Sequence, residues 1–154
     1  MYKEPHERDL RKGRFSEPNR IYLVTTTTHA RRPVFSDFSL GRIVVQSFRY
    51  HAIHSHADTL AYVVMPNHVH WLVSLGTTTS LSQLVASTKR FSSRRINLLR
   101  DRVGRRLWQS GFHDHAVRRE EEVRQLARYV VANPLRAGLV KRLGDYPLWD
   151  ATWV

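Results

Sequence analysis

The alternation of apolar and polar positions predicts three β-strands. Residues 21–28 are mainly β-branched and aromatic, which is typical of a strand, and residues 58–65 and 68–75 are two further apolar segments of strand length. Pro66 and Asn67 separate the last two segments. This pair favours a tight turn, because proline presets its φ and asparagine tolerates the left-handed region. The second and third strands are therefore predicted to form a hairpin.

Apolar positions that recur every three or four residues predict three helices. The first is expected to begin after an N-cap at Ser36 and to reach about residue 56. The second covers residues 80–100. The third covers residues 120–132, where three glutamates suit the positive end of the helix dipole. Asn133 and Pro134 are expected to end it, since the residue before a proline disfavours the helical region.

The remaining segments have weaker patterns. Residues 107–117 are interpreted as irregular or extended, and the tail around Tyr146 as a strand or loop. Residues 1–19 are interpreted as a flexible basic arm, and residues 20–154 as one domain. The order of strand, helix, strand, strand, helix and helix predicts an α+β fold in which helices pack on an antiparallel sheet.

Composition narrows the function classes. The 154 residues include 25 Lys and Arg against 13 Asp and Glu, a formal net charge of +12, which points to a polyphosphate partner. The absence of cysteine excludes disulfides, thiolate nucleophiles, zinc fingers and iron–sulfur clusters. No apolar stretch is long enough to span a bilayer, and the N-terminus lacks the apolar segment of a secretory signal. These features predict a cytoplasmic, nucleoid-associated protein with no membrane partner.

Basic residues cluster strongly in residues 89–106, which hold eight Lys and Arg and one acid. Guanidinium groups fit phosphates well, and a run of one sign this long favours an anionic partner over a merely solvated helix face. No phosphate-binding Gly-x-x-x-x-Gly-Lys motif and no Gly-x-Ser-x-Gly motif is present. The predicted DNA-binding residues here and in the arm are Arg11, Lys12, Arg14, Lys89, Arg90, Arg94 and Arg95.

The third strand begins with His68, Val69 and His70. Residues i and i+2 of a strand share a face, so both imidazoles are expected to lie side by side, away from the apolar face of Val69 and Trp71. Two neutral imidazoles at this spacing can hold one divalent ion if a third ligand comes from elsewhere. The alternative is two polar residues on a half-exposed strand.

The third helix carries a polar stripe that includes Tyr129 and Asn133, one turn apart. A tyrosine between polar neighbours can offer its phenol to a site, and the Asn133 amide oxygen can face a metal. The alternative is a boundary tyrosine with its hydroxyl in water.

Two further histidine groups stand out. His113 and His115 form a second His-x-His, for which a phosphate-contacting or supporting role is favoured, with His115 as the predicted DNA contact. The group of His51, His54 and His56 falls at a helix end, where a cationic imidazole suits the dipole, and is interpreted as structural.

Three motifs together resemble a known family. The sequence Tyr-Val-Val-Met-Pro-Asn-His-Val-His at 62–70, the segment 107–115 and the segment 129–140 look like those of the REP-associated tyrosine transposases. These are relatives of the single-tyrosine transposases that carry a His-hydrophobe-His motif. Residues 20–29 and 32–35 are also similar to the family's first strand, so the resemblance covers roughly residues 11–150.

The resemblance implies a ferredoxin-like α+β domain with the two histidines on a central strand. It implies that His68, His70 and Asn133 bind Mg²⁺ or Mn²⁺, although many relatives carry glutamine at the position of Asn133. It implies that Tyr129, on a late helix, is the nucleophile. The expected partners are single-stranded DNA hairpins formed by REP-type palindromes. A monomer is favoured and a dimer is permitted.

The implied reaction is metal-dependent cleavage and transfer of single-stranded DNA through a 5′-phosphotyrosine intermediate. The alternative is a REP-hairpin binder without catalysis, for which His68, His70 and Tyr129 would have no use. A third hypothesis, an RNA-binding protein or ribonuclease, lacks the aromatic strand motif of an RNA-recognition module.

Overall fold

A computed structural model describes residues 20–152 as five strands, four α-helices and short 3₁₀ turns. Arg11, Lys12 and Arg14 of the predicted arm lie outside the described residues. In chain order the elements are β1 (Ile21–Thr27), α1 (Phe38–Ile53), β2 (Ala57–Val64), β3 (His68–Leu75), α2 (Leu81–Leu99), β4 (His113–Val117), α3 (Glu120–Val131), α4 (Asn133–Arg136) and β5 (Trp149–Ala151).

The five strands form one antiparallel sheet in the order β4-β1-β3-β2-β5. The elements from β1 to β4 follow the β-α-β-β-α-β sequence of ferredoxin-like folds, with β1 and β3 in the interior of the sheet. The predicted α+β architecture is thus confirmed. The His-x-His segment begins the central strand β3, where both neighbouring strands hold it in register.

The segment 107–117, predicted as irregular or extended, contains β4, whose alternating exposure is that of an edge strand paired only with β1. The third helix ends at Val131 as expected, but a further short helix, α4, follows at once. Pro134 does not prevent this turn, because the first residues of a helix need no backbone N–H partner.

The starts of α1 and α2 are set by capping side chains. The predicted N-cap Ser36 is wrong, since Ser36 belongs to a 3₁₀ turn and the Asp37 carboxylate accepts the hydrogen bond from the backbone N–H of Ser39. The predicted start of α2 is confirmed. Ser80 and Gln83 form a reciprocal capping box, in which each side chain accepts from the other residue's backbone N–H.

The two faces of the sheet are covered by different helices. Trp71 points to the face covered by α1 and α2, where the Phe48 ring stacks on it with centroids 4.3 Å apart. His70, the preceding residue, points to the opposite face, where α3 packs. Buried residues of α3 seal this second layer: Val123, Ala127, Val130 and Val131. The polar stripe of α3 therefore lies beside the histidines.

The chain after α4 returns to the sheet. β5 pairs with the outer edge of β2, and the Tyr146 hydroxyl donates to the carbonyl oxygen of Val64. Leu148 is buried, and its carbonyl accepts the backbone N–H of Val64. The predicted strand or loop in the tail is therefore a short edge strand that protects β2.

No helix in the described part of the chain has the length and apolar character needed to cross a bilayer.

Candidate metal and nucleophile site

His68 and His70 lie on one face at the beginning of β3, with their ring centroids 5.0 Å apart. The Nδ1 atom of His68 is 2.7 Å from the Asn67 side-chain oxygen, to which it donates. The Nδ1 atom of His70 is 2.8 Å from the hydroxyl oxygen of Thr25, its cross-strand partner in β1. Both contacts occupy Nδ1. Each ring can therefore present Nε2 to a ligand, which is the usual way a second partner orients a metal-binding histidine.

The surroundings of both imidazoles favour the neutral form. Burial, together with smaller contributions from the charges of His68 and Arg136, lowers the pKa of His70 to about 4. Burial also lowers the pKa of His68, with a smaller contribution from Arg31. Since an unperturbed histidine titrates near pH 6.5, both rings are neutral at pH 7. Neutral imidazole is the form that binds a metal ion.

Tyr129 lies on the last turns of α3 and faces the same pair of histidines. Its ring centroid is 5.8 Å from that of His70, in an edge-to-face arrangement, and the residue is 43% exposed. The helix thus presents the phenol to the histidines and to solvent together. All three rings belong to one chain, so the site forms without a second copy.

Asn133 follows one turn later, as the first residue of α4. Its side-chain nitrogen donates to the carbonyl oxygens of Tyr129 and Val130, each at 3.0 Å. These two bonds orient the amide and take only its nitrogen. The amide oxygen, the atom that a hard divalent cation prefers, is left for another ligand.

The donors near His68 suit a divalent ion in kind. Among residues 20–152, no three His, Cys, Asp or Glu side chains come together to hold a metal ion, so any third protein ligand must be of another type. An amide oxygen such as that of Asn133 is of such a type. Two neutral imidazoles with both Nδ1 atoms engaged, and an amide whose nitrogen is engaged, are donor types that occur at sites for divalent cations.

Four of the predicted DNA-binding residues lie on α2, which is on the other side of the sheet. Arg90, Arg94 and Arg95 line a groove between α1 and α2 together with Tyr50 and Phe91. The Lys89 ammonium donates to the carbonyl oxygens of Gln109 and Gly111, which ties the segment before β4 to α2. The structure does not bring these four side chains together with Tyr129.

The second His-x-His lies on the same face as the first. Thr25 pairs with His70 on one side and with His113 on the other, so His113 and His115 occupy the edge of the histidine face. The His115 Nε2 atom is 2.6 Å from a carboxylate oxygen of Glu122 in α3, and this hydrogen bond lowers the pKa of Glu122. The contact fastens the edge strand to the helix that carries Tyr129.

Sequence reasoning missed three neighbours of the site. Thr25 and Asn67 orient the histidines, and the Arg136 guanidinium lies over the Tyr129 ring, 4.1 Å from its centroid. Asn67 was visible as the residue before the motif, but only as a turn former. Thr25 is one of four consecutive threonines, and only the strand register distinguishes it.

Residues 18–133, about three quarters of the chain, match the family described as "Transposase IS200 like". The chain belongs to this family. The match includes β1 to β4, both histidines of β3, Tyr129 and Asn133, and it ends three residues before Arg136.

Individual relatives agree with this assignment. Over 89 residues the IS200-like chain is 30% identical to the REP-associated tyrosine transposase of Escherichia coli (strain K12), an alignment that covers 56% of this chain and 50% of that protein. The aligned part thus spans about half the length of that relative. The predicted resemblance to REP-associated tyrosine transposases is confirmed.

Two solved structures share the fold. One is a REP-associated tyrosine transposase bound to a REP hairpin, with a TM-score of 0.71, 21% identity, and coverage of 88% of this chain and 79% of that chain. The other is a protein from Deinococcus radiodurans R1, with a TM-score of 0.53, 22% identity, and coverage of 78% and 95%. At these identities the similarity establishes the common architecture.

Proposed function

We propose that this chain is a metal-dependent endonuclease and strand transferase that acts on single-stranded DNA at REP-type palindromic hairpins. The observation that carries the proposal is the contact between the Tyr129 ring and His70, on a face where His68 and His70 both present Nε2. Membership of a transposase family supports a DNA-processing role. The relative whose structure contains a REP hairpin supports that class of substrate.

His68, His70 and Asn133 are the residues that would hold the divalent ion, Mg²⁺ or Mn²⁺. When bound, the ion supplies positive charge that offsets the charge of the scissile phosphate and helps to align it. The Asn67 side-chain oxygen accepts from Nδ1 of His68 and so favours the tautomer with Nε2 unprotonated, and the Thr25 hydroxyl orients the His70 ring. Their side chains therefore support the site without touching the substrate.

Tyr129 is the nucleophile in this proposal. Its phenol oxygen forms a bond to phosphorus as the bond between phosphorus and the 3′ oxygen breaks. The phenol proton leaves at or before attack, and the departing 3′ oxygen takes up a proton. The products are a 5′-phosphotyrosyl DNA and a free 3′-hydroxyl. Since the new bond is again a phosphodiester, a 3′-hydroxyl can attack it and rejoin a strand.

Binding of the hairpin is expected to depend mainly on backbone phosphates. The net charge of +12 favours this mode, with unpaired bases supplying sequence information. The predicted contacts remain Arg11, Lys12 and Arg14 of the arm, the α2 residues Lys89, Arg90, Arg94 and Arg95, and His115.

A covalent-adduct assay tests the proposal. The substrates are hairpin oligonucleotides made from the palindromes that flank the gene, labelled at either the 3′ or the 5′ end. Wild type and Tyr129→Phe are incubated with Mg²⁺, Mn²⁺ or chelator and separated in SDS. We expect the protein band to carry the 3′ label only, in wild type only, and to lose it with chelator.

Other outcomes assign other functions. An adduct in Tyr129→Phe would reject Tyr129 as the nucleophile. Transfer of the 5′ label would reverse the polarity of the intermediate. Tight hairpin binding without any adduct would support the non-catalytic binder, and preference for an RNA hairpin over the DNA hairpin would support the ribonuclease hypothesis.

A further inference from the structure

Five arginines line one cavity of about 420 Å³, away from the residues assigned to catalysis. It lies between the segment that leads into α1 and the segment that follows α2. The other lining residues are short apolar or polar side chains. The arginines are Arg32, Arg100, Arg102, Arg105 and Arg106.

The charge of this cavity is almost uncompensated by acids. Asp37 is the one acidic residue among its described lining residues, and its carboxylate already accepts the backbone N–H of Ser39 as the cap of α1. None of the lining residues within 20–152 is aromatic, in contrast to the groove that holds Tyr50 and Phe91. Guanidinium groups without a stacking surface suit phosphate groups and not bases.

The segment after α2 carries four of these arginines, and Arg32 lies in the segment before α1. Asp101 and Gly104 have positive φ values of 52° and 77°, and they reverse the chain directly after the helix. The Asn97 side chain then donates to the carbonyl oxygen of Arg105 at 2.7 Å. Arg106 is held by hydrogen bonds to the Trp108 carbonyl, at 3.1 Å, and to the Ser110 hydroxyl, at 2.6 Å. The cavity wall is thus part of a hydrogen-bonded segment.

The cavity adjoins the end of the sheet at which His68 lies. The Thr28 hydroxyl is 2.8 Å from the carbonyl oxygen of Arg32 and 3.1 Å from that of Asn67. Asn67 in turn accepts from His68. The backbone N–H of His29 donates to the Leu107 carbonyl at 2.8 Å, which joins the other wall to the same strand end. Both walls of the cavity are therefore hydrogen-bonded to the strand end at which His68 lies.

We propose that the five-arginine cavity binds the phosphodiester backbone of the DNA strand that adjoins the cleavage site. The proposal rests on the proposed function for the identity of the DNA. Its test measures binding alone and does not require cleavage. Each guanidinium offers a fork of N–H donors that fits phosphate oxygens. Five such groups on one cavity can bind several phosphates of the strand together.

The salt dependence of DNA binding tests this site. Arg100→Gln/Arg102→Gln/Arg105→Gln is compared with Arg42→Gln/Lys141→Gln/Arg142→Gln, which removes the same charge from other parts of the surface. Both sets are made in the Tyr129→Phe background, so binding is measured without cleavage. The ligand is the hairpin oligonucleotide with its unpaired flanks, titrated at several salt concentrations.

The plot of log K against log salt has a negative slope. We expect the cavity variant to reduce the magnitude of this slope by roughly 2, since three phosphate contacts are lost and each contact on single-stranded DNA contributes about 0.7. The control variant should keep the wild-type slope. Circular dichroism and melting temperature verify that both variants fold. Because no cleavage is measured, the result stands whether or not the adduct assay succeeds.

Three results would overturn the proposal. One is an unchanged slope in the folded cavity variant. Another is an equal loss in both variants, which would indicate a general effect of net charge. The third is stabilisation of wild type by pyrophosphate that the cavity variant loses while its DNA slope is unchanged, which would assign the cavity to a small anion.

Discussion

The Arg136 guanidinium lies over the Tyr129 ring, with its Cζ atom 4.1 Å from the ring centroid. Its Nη2 atom donates to the Tyr129 carbonyl at 3.1 Å. One side chain therefore contacts both the ring and the backbone of the proposed nucleophile. Arg136 lies on α4 and Tyr129 on α3, so the contact also joins the two helices. A cation–π contact of this kind restrains the ring while leaving the remaining N–H groups for a phosphate.

Arg136→Ala is expected to slow adduct formation by roughly 10- to 100-fold, because the ring loses its restraint and the phosphate loses a charged donor. Arg136→Lys should recover only part of the rate, since an ammonium cannot cover the ring and form the same fork. Single-turnover adduct formation at saturating hairpin measures the rate. A rate equal to wild type in Arg136→Ala would remove Arg136 from the site.

Thr25→Val tests the hydrogen bond that orients His70. The substitution keeps the shape of the side chain but removes the hydroxyl 2.8 Å from Nδ1. We expect the metal concentration for half-maximal adduct formation to rise roughly tenfold or more, as for other supporting partners of metal-binding histidines. Thr26→Val, on the opposite face of the same strand, is the matched control and should leave that concentration unchanged.

Stability should fall in mild acid because of His51. This ring is buried, is within hydrogen-bond distance of His56 and Thr88, and burial lowers its pKa to about 4, with the nearby His56 and His54 contributing. The unfolded chain takes up the proton near pH 6.5 and the native chain only near pH 4. The unfolded state therefore binds more protons between these values, and stability declines as the pH falls through this window.

The measurement is the melting temperature between pH 7 and pH 4.5. His51→Gln should show a flatter decline than wild type, because glutamine cannot take up the proton. His113→Gln, at an exposed position on β4, serves as the control and should follow the wild-type curve. Parallel curves for His51→Gln and wild type would contradict this account of the acid sensitivity.

Gly76→Ala should destabilise the fold. A Cβ atom at Gly76 would lie 2.5 Å from the carbonyl oxygen of Ser55 and 2.8 Å from that of His56, and backbone atoms cannot yield as a flexible side chain does. We expect a loss of about 1–3 kcal/mol in the free energy of unfolding. Gly144→Ala meets no atom within 4 Å and should change it by less than about 0.5 kcal/mol. Chemical denaturation of both variants measures the difference.

The sequence predicted the parts of the fold that have strong local patterns. β2 and β3 are predicted because each has apolar residues over the length of a strand and a turn pair separates them. For the region of β4 the sequence predicts only an irregular or extended segment, because β4 has five residues, exposes its histidines and pairs with β1 alone. The sequence predicts Ser36 as the cap of α1, whereas the cap is its neighbour Asp37. Both residue types can cap a helix, so only the geometry decides between them.

The candidate site shows the same division. Spacing alone predicted that His68 and His70 share a face, and that Tyr129 and Asn133 lie one turn apart. The contact between His70 and Tyr129 depends on which helix covers which face, and that is set by the packing of α3 over β3. Thr25 required the register of β1 against β3. Such partners are distant in sequence, so local periodicity contains no signal for them.

Because the His70 and Tyr129 rings are in contact within a single chain, the first chemical step does not require two protein molecules to meet. The initial velocity at saturating hairpin should then be proportional to the enzyme concentration. Specific activity should stay constant when the enzyme is diluted far below the dissociation constant of any dimer. Mixing Tyr129→Phe chains with His70→Ala chains should restore no activity. Each molecule would act alone at its own palindrome.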